Sequence, residues 1–430
     1  MAKSRTLNRR DLLRASVGAA TGMALAACAP VAAPEGAMEG DAPAAAPAEI
    51  NWLGPFLPAY RFEWLQGPLM DMWQDTNSDI TIVMEQATSW GDTEEKVLIR
   101  AAAGGGPDLV QTGETGAVTD FAARGLFTSL DPYMDADDDI SVDLFYEAPM
   151  IAGQYEGVSY ALPQDSITMV YFYNKAQFEE AGLSGPPATF DDIVAAAEAL
   201  TALDGVDYGL QAVVSNWGHF ASYLYANGGS FIDESCSEIL FNDEIGVQTV
   251  SFLMDQVNAG IATPHGSDVS VQNGRASMVT TVPWIVGWTQ NNAPEIYDVL
   301  GATTMPAGMV GSDVWGWAHY ESILENSEAK DPAWTFLAWM LSEDIDLTYH
   351  ENLNFLPGQP RTFAKPPFSE HWAWTVFAQQ LEMTRPMPLC ISWREINADI
   401  LRPELEAAWI GEKTPQEALD SAAAKAAEKL

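Results

Sequence analysis

From Ile50 onward, short apolar runs of strand length alternate with longer stretches that carry helical spacing and helix caps. This alternation restricts the fold more than any other feature of the chain. Ile80-Thr-Ile-Val-Met84 reads as a strand; Thr93 to Ala103 reads as a helix stopped by Gly104-Gly105-Gly106; Pro107 to Gln111 gives another short strand. Thr189-x-x-Asp192 is a capping box that opens a helix to about Leu203, ending near Gly205. Asn242 is expected to cap the next helix, which sets Val247, Val250, Leu253, Met254 and Val257 on one face and ends at Gly260. Asp331-Pro332 and Thr414-Pro415-x-Glu417 each place a cap before a proline at the first helical position. Strands alternating with helices of this length imply α/β layers around a mostly parallel sheet. A chain of 430 residues has room for two or three domains, and no internal repeat is visible.

Several short segments follow in a set order. They are Ala102-Ala-Gly-Gly-Gly-Pro-Asp-Leu-Val110, Gly125-Leu-Phe-Thr-Ser-Leu-Asp131 and Tyr155-Glu-Gly-Val-Ser-Tyr-Ala-Leu-Pro163. Next come Tyr171-Phe-Tyr-Asn-Lys175, Phe178-Glu-Glu-Ala-Gly182 with Pro186-Pro187-Ala-Thr-Phe190, and Ala226-Asn-Gly-Gly229. Asn273-Gly-Arg-Ala-Ser-Met278 with Pro283-Trp284, and Thr414 to Leu419, complete the series. In this order they resemble the extracellular sugar-binding proteins of bacterial ABC importers, the group that includes maltose-binding protein. The resemblance implies an α/β protein of two lobes, a type II-like periplasmic-binding-protein fold with three interlobe crossings. Lobe one would take residues 49–163 and 312–355, and lobe two residues 164–311 and 356–430. The crossings would contain Pro163, Pro306-Ala-Gly308 and Pro357-Gly358. Such proteins close about a hinge to trap a ligand in the cleft.

A sugar offers apolar C–H faces to aromatic rings and hydroxyls to carboxylates, amides and arginine. The resemblance marks Trp284 and Trp393 as stacking platforms, Trp217 as an aromatic of lobe two, and Trp317 at the return to lobe one, where a strand-core role competes. Loops at strand ends are the usual ligand positions in open α/β sheets, which adds Glu114 and Asp165 as hydroxyl acceptors. Arg361 and Arg394 are candidate donor forks in a chain with only 20 Lys and Arg. Tyr60, Arg61 and Trp90 are placed in loops near the rim. The expected ligand is a sugar or oligosaccharide and the expected partner an ABC permease, with no catalysis, no cofactor and no metal. The protein itself is expected to be a monomer.

The N-terminus reads as an address. Lys3, Arg5 and Arg9-Arg10 precede a weakly apolar run from Ala15 to Leu25, and Leu25-Ala26-Ala27-Cys28 resembles a bacterial lipobox. Residues 1–27 are therefore expected to be a twin-arginine signal peptide. Cys28 is the expected lipidation site, and residues 28–48 a flexible tether holding the protein at the extracytoplasmic membrane face by its lipid alone. Cys236 and Cys390 are equally readable as a disulfide or as two buried thiols.

The formal net charge of −40 argues against nucleic-acid binding, since such a surface repels phosphate backbones. Asp135-Ala-Asp-Asp-Asp139 begins like a calcium loop, but Ile140 stands at its glycine position and Tyr146 at its closing glutamate. Two rivals remain at this stage. One keeps the fold and carries a polyamine or other small solute; the other is a secreted glycoside hydrolase, whose carboxylate pair sequence spacing cannot exclude.

Overall fold

A computed structural model describes residues 48–430 other than 114–115, 215–216 and 354, and leaves the side chains of Tyr60 and Trp217 undescribed. The expected signal, Cys28 and nearly all of the tether lie outside these residues. No helix among the described residues is long and apolar enough to cross a membrane.

Two sheets organise the molecule. In the first, Ala48–Gly54 pairs in parallel with Ile80–Gln86 and with Leu109–Thr112; Tyr320–Ile323 and then Leu162–Pro163 extend it antiparallel. Side chains alternate across a strand, so Ile50 and Trp52 face one side and Leu53 the other. Ile50, Trp52, Leu109 and Ile323 pack on Phe336, Leu337 and Met340 of the helix Lys330–Met340. Leu53, Val110 and Leu324 pack on Val97 and Phe121 of the helices Trp90–Ala102 and Ala117–Ala123. Both faces are covered, which makes a three-layer lobe.

The second sheet orders Leu300–Thr303, Val170–Asn174, Ala276–Thr281 and Tyr208–Gln211. Tyr171, Leu210 and Met278 face one core and Phe172, Val279 and Leu300 the other. Both sheets are mixed rather than mostly parallel. The strands that run antiparallel to their neighbours, Val170–Asn174 and Tyr320–Ile323, each follow a passage from one lobe to the other.

Those passages lie side by side. The Gln164 N–H donates to His319 O at 2.8 Å, the Ser166 N–H donates to Leu356 O at 3.1 Å, and Asp165 bridges Pro357. A Cβ on Gly358 would fall 3.0 Å from Pro163 O, so a side chain there would press the third passage away from the first by a few tenths of an ångström. Pro163 and Pro357-Gly358 sit where a crossing was expected, but Pro306-Ala-Gly308 does not. The Ala307 N–H donates to Ala188 O, and Gly308 packs on Ala226, both in lobe two. The middle passage is instead Ala318-His319, because Val314–Trp317 still pairs with Ile167–Thr168 and Thr384–Arg385, with Trp315 in the lobe-two core.

Local signals set several helix ends. Thr189 and Asp192, and Thr414 and Glu417, form reciprocal capping boxes. The helix Glu244–Asn258 is capped by Asp243 rather than Asn242, whose amide donates to Asp420. Lys330–Met340 opens before Asp331, which lies in its first turn. Asp137 Oδ1 accepts from the N–H groups of Asp139 and Ile140, an acidic turn satisfied by its own backbone. Cys236 and Cys390 are joined in a disulfide within lobe two.

Candidate functional site

A cavity of about 680 Å³ opens against the three passages, within the usual range for a ligand pocket. Its floor is passage backbone and side chain, Asp165 to Ile167, Trp317, His319, Phe355 and Leu356. Lobe two adds Pro283 and the helix Trp284–Asn292; lobe one adds Pro58 and Arg61. Residues four apart share a helix face, and Trp284 and Trp288 line the cavity together while 51% and 42% exposed. Leaving two indoles to water forgoes roughly 1.5–3 kcal/mol of burial for each, a cost that a ligand face can offset. Trp317 lines the same space with its ring stacked on buried Trp315, centroids 3.8 Å apart and planes at 20°.

Polar groups converge on these walls. Asp165 is 2% exposed and accepts from the His319 N–H at 2.8 Å and from His319 Nδ1 at 2.5 Å. That fixes His319, whose ring stacks on Trp90 at 4.7 Å and meets Phe355 at 5.7 Å. Gly113 makes this possible, since a Cβ there would strike the Trp90 ring. The Arg61 guanidinium sits 5.0 Å above the Phe355 ring. Ser166 Oγ is buried beside the cavity and has no hydrogen-bond partner among the described residues. Two residues past His319, buried Glu321 accepts from Trp52 Nε1 at 3.1 Å and Gln111 Nε2 at 2.9 Å. Burial pushes its carboxyl up to about 8, against the opposing pull of those bonds.

Aromatic rings thus line a cleft at the place where three chain passages run side by side. A family model for bacterial extracellular solute-binding proteins matches residues 59–346. The chain belongs to that family. Among the relatives of this solute-binding protein, a binding protein of Brucella abortus (strain 2308) is 26% identical over 360 residues, covering 81% of this chain and 86% of the relative. The sn-glycerol-3-phosphate-binding periplasmic protein UgpB of Yersinia enterocolitica is 23% identical over 393 residues, covering 83% and 87%. The sugar-binding protein MalE of Xanthomonas citri shares the two-lobed fold with a TM-score of 0.80 at 19% identity, over 89% of this chain and 97% of that one. The GacH receptor of Streptomyces glaucescens, solved unliganded and with acarbose, gives 0.76 at 22% identity, over 88% and 97%.

The residues anticipated for a solute-binding site are dispersed differently from the expectation. Trp284, Trp317 and Asp165 meet at the cavity. Trp393 does not: it is 1% exposed and packed against Phe231 in the lobe-two core. Arg394 is turned to Glu94, and Arg361 donates to Gln359 Oε1 and Leu341 O, which holds a helix start rather than a ligand. Trp90 backs His319 and is not a lining residue; it begins a helix, as Tyr60 and Arg61 lie within one, so neither segment is a loop. Glu114 is outside the described residues, and of the Tyr60 and Trp217 side chains nothing is described.

Sequence reading missed Trp288, Ser166, His319 and Phe355. Trp288 alone had a signal, its spacing of four from Trp284 after Pro283. The others reach the cavity only because distant passages run alongside one another.

Proposed function

We propose that this protein captures a neutral sugar or oligosaccharide between its lobes and delivers it to the permease of an ABC importer. The observation that carries the reading is the exposed Trp284–Trp288 face lining one cavity with Trp317. Indole faces cover sugar C–H surfaces, and Ser166, His319 and Asn291 stand nearby for hydroxyls. A micromolar complex needs only about −8 kcal/mol net, which a few stacked rings and several hydrogen bonds supply after ordering costs. GacH, solved with acarbose, and the sugar-binding protein MalE support the same class.

A polyamine would call for several carboxylates, and the described lining holds Asp165 alone, already engaged by His319. Glycoside hydrolysis needs two carboxyl groups set about 5–10 Å apart, which the described lining likewise does not provide. We further propose export through the N-terminal signal, lipid attachment at Cys28, and action as a monomer at the extracytoplasmic membrane face. The lobe division at residues 163, 311 and 355 is proposed with its middle boundary moved to Ala318.

A thermal-shift screen over sugars, polyols, polyamines and glycerol phosphate tests the ligand class, since a specific ligand stabilises the native state by mass action. Stabilisation by a sugar that is recovered intact after incubation supports the reading. Stabilisation by polyamines alone, or cleavage of the sugar, would overturn it.

A further inference from the structure

Glu94 and Arg394 form an ion pair between the two lobes. Glu94 belongs to the helix Trp90–Ala102, which packs on the first sheet through Val97. Arg394 follows Trp393, whose ring is sealed in the core of the second lobe. Glu94 is 3% exposed, and neither of its carboxylate oxygens has a hydrogen-bond partner elsewhere among the described residues. The Arg394 side chain is half exposed. Its Cβ also lies 3.9 Å from where a Cβ on Gly116 of lobe one would stand, so the two lobes approach each other here beyond the charged tips alone.

We propose that Glu94 and Arg394 are a latch that holds the lobes closed, rather than a pair of ligand contacts. A buried carboxylate needs a counter-charge or hydrogen bonds, or it takes up a proton as Glu321 does. Moving the lobes apart removes the one partner Glu94 has among the described residues, so the pair contributes to the closed state alone. Geometry makes the contact a sensor of closure. The helix that carries Glu94 is fixed at its first residue to the hinge, where Trp90 stacks on His319 at 4.7 Å. A rotation of lobe two about the passages therefore acts on Glu94 through Arg394 while Trp90 stays in place. Apparent affinity scales with the fraction of protein in the binding-competent state, so the latch raises affinity without touching the ligand.

The experiment measures lobe separation in the full chain, with spin labels at Asp75→Cys and Asp255→Cys, both exposed positions. Ligand-free native protein is expected to show a short-distance population. Arg394→Gln and, independently, Glu94→Gln are expected to reduce its ratio to the long-distance population roughly five- to thirtyfold, the range for coupled neighbours. The charge swap Glu94→Arg with Arg394→Glu restores part of it. A second arm, which rests on the carbohydrate reading, follows dissociation of a sugar taken from the thermal-shift screen. Both single variants should release it faster by a similar factor. The label arm needs no ligand, so failure of the sugar reading leaves it decisive. No short-distance population in ligand-free native protein, or one unchanged in both variants, overturns the latch. So does weaker sugar binding in Arg394→Gln with Glu94→Gln unaffected, the outcome if arginine touched the ligand.

Discussion

Asp165 accepts two hydrogen bonds from the single residue His319, one from its backbone N–H at 2.8 Å and one from its ring Nδ1 at 2.5 Å. The pair joins the first passage between the lobes to the second and sets the ring that faces the cavity. A second imidazole works alongside it: His350 Nε2 donates to Gln164 O at 3.0 Å and to Asp346 Oδ1 at 3.1 Å, and Asp346 also accepts from Thr362 Oγ1. Buried polar groups therefore tie the passages to each other and to the helix that carries His350.

Asp165→Asn should cost about 1.5–3 kcal/mol of unfolding free energy, the usual worth of a charge-assisted buried hydrogen bond. Sugar affinity should fall with it, since His319 loses its fixed orientation. Denaturant titration and calorimetry measure the two effects; unchanged values in both would show that the contact is incidental.

Trp284→Ala and Trp288→Ala should each weaken sugar binding by roughly 1–3 kcal/mol, as truncated aromatic anchors do. Both rings are substantially exposed without ligand, so stability should stay within about 0.5 kcal/mol of native. Equal affinity in both variants would remove the cavity from consideration as the ligand site.

Trp393→Ala should behave in the opposite way. Its ring contacts Phe231 at 4.9 Å inside the lobe-two core, and emptying that volume should cost about 3–5 kcal/mol of stability. Urea unfolding reads this directly. A variant as stable as native but unable to bind sugar would return Trp393 to the ligand site.

Stability should fall as pH rises through the range set by Glu321. Its native carboxyl titrates up to about 8 because it is buried, whereas in the unfolded chain a glutamate titrates near 4.3. Between these values the native state keeps a proton that the unfolded state has lost. The contribution is therefore complete below about 4 and is lost toward 8, at no more than about 1.4 kcal/mol per pH unit. Glu321→Gln should remove this slope, gaining on the native protein at pH 8.5 relative to pH 5. Parallel pH profiles for the two proteins would contradict a protonated native carboxyl.

Replacing both Cys236 and Cys390 by serine should lower stability by roughly 3–5 kcal/mol. The bridge closes a loop spanning 154 residues, and constraint of the unfolded chain grows with loop length. Denaturation with and without reductant provides the check: a reductant-insensitive native protein would argue against the bond.

Much of the architecture was legible because its signals are local. Thr189 with Asp192, and Thr414 with Glu417, specify helix starts within four residues, and both appear as reciprocal caps. Asn242 was misread because its neighbour Asp243 has the same capping chemistry and Asn242 has a distant partner in Asp420. Pro306-Ala-Gly308 has the composition of a hinge, yet composition records bending and not destination; these residues turn within lobe two against Ala188 and Ala226.

By itself the sequence determined the layered α/β character, the order of the segments and the indole after Pro283. Tertiary structure alone decided which aromatic rings meet water. Trp284 and Trp393 both begin short helices after proline-containing loops, yet one lines the cavity and the other is sealed against Phe231. A helix start fixes where a side chain leaves the backbone, but the face it meets is supplied by strands and loops far away in the chain. Asp165 was legible as a candidate hydroxyl acceptor at a passage, whereas its burial and its partner became known only when His319 was brought beside it.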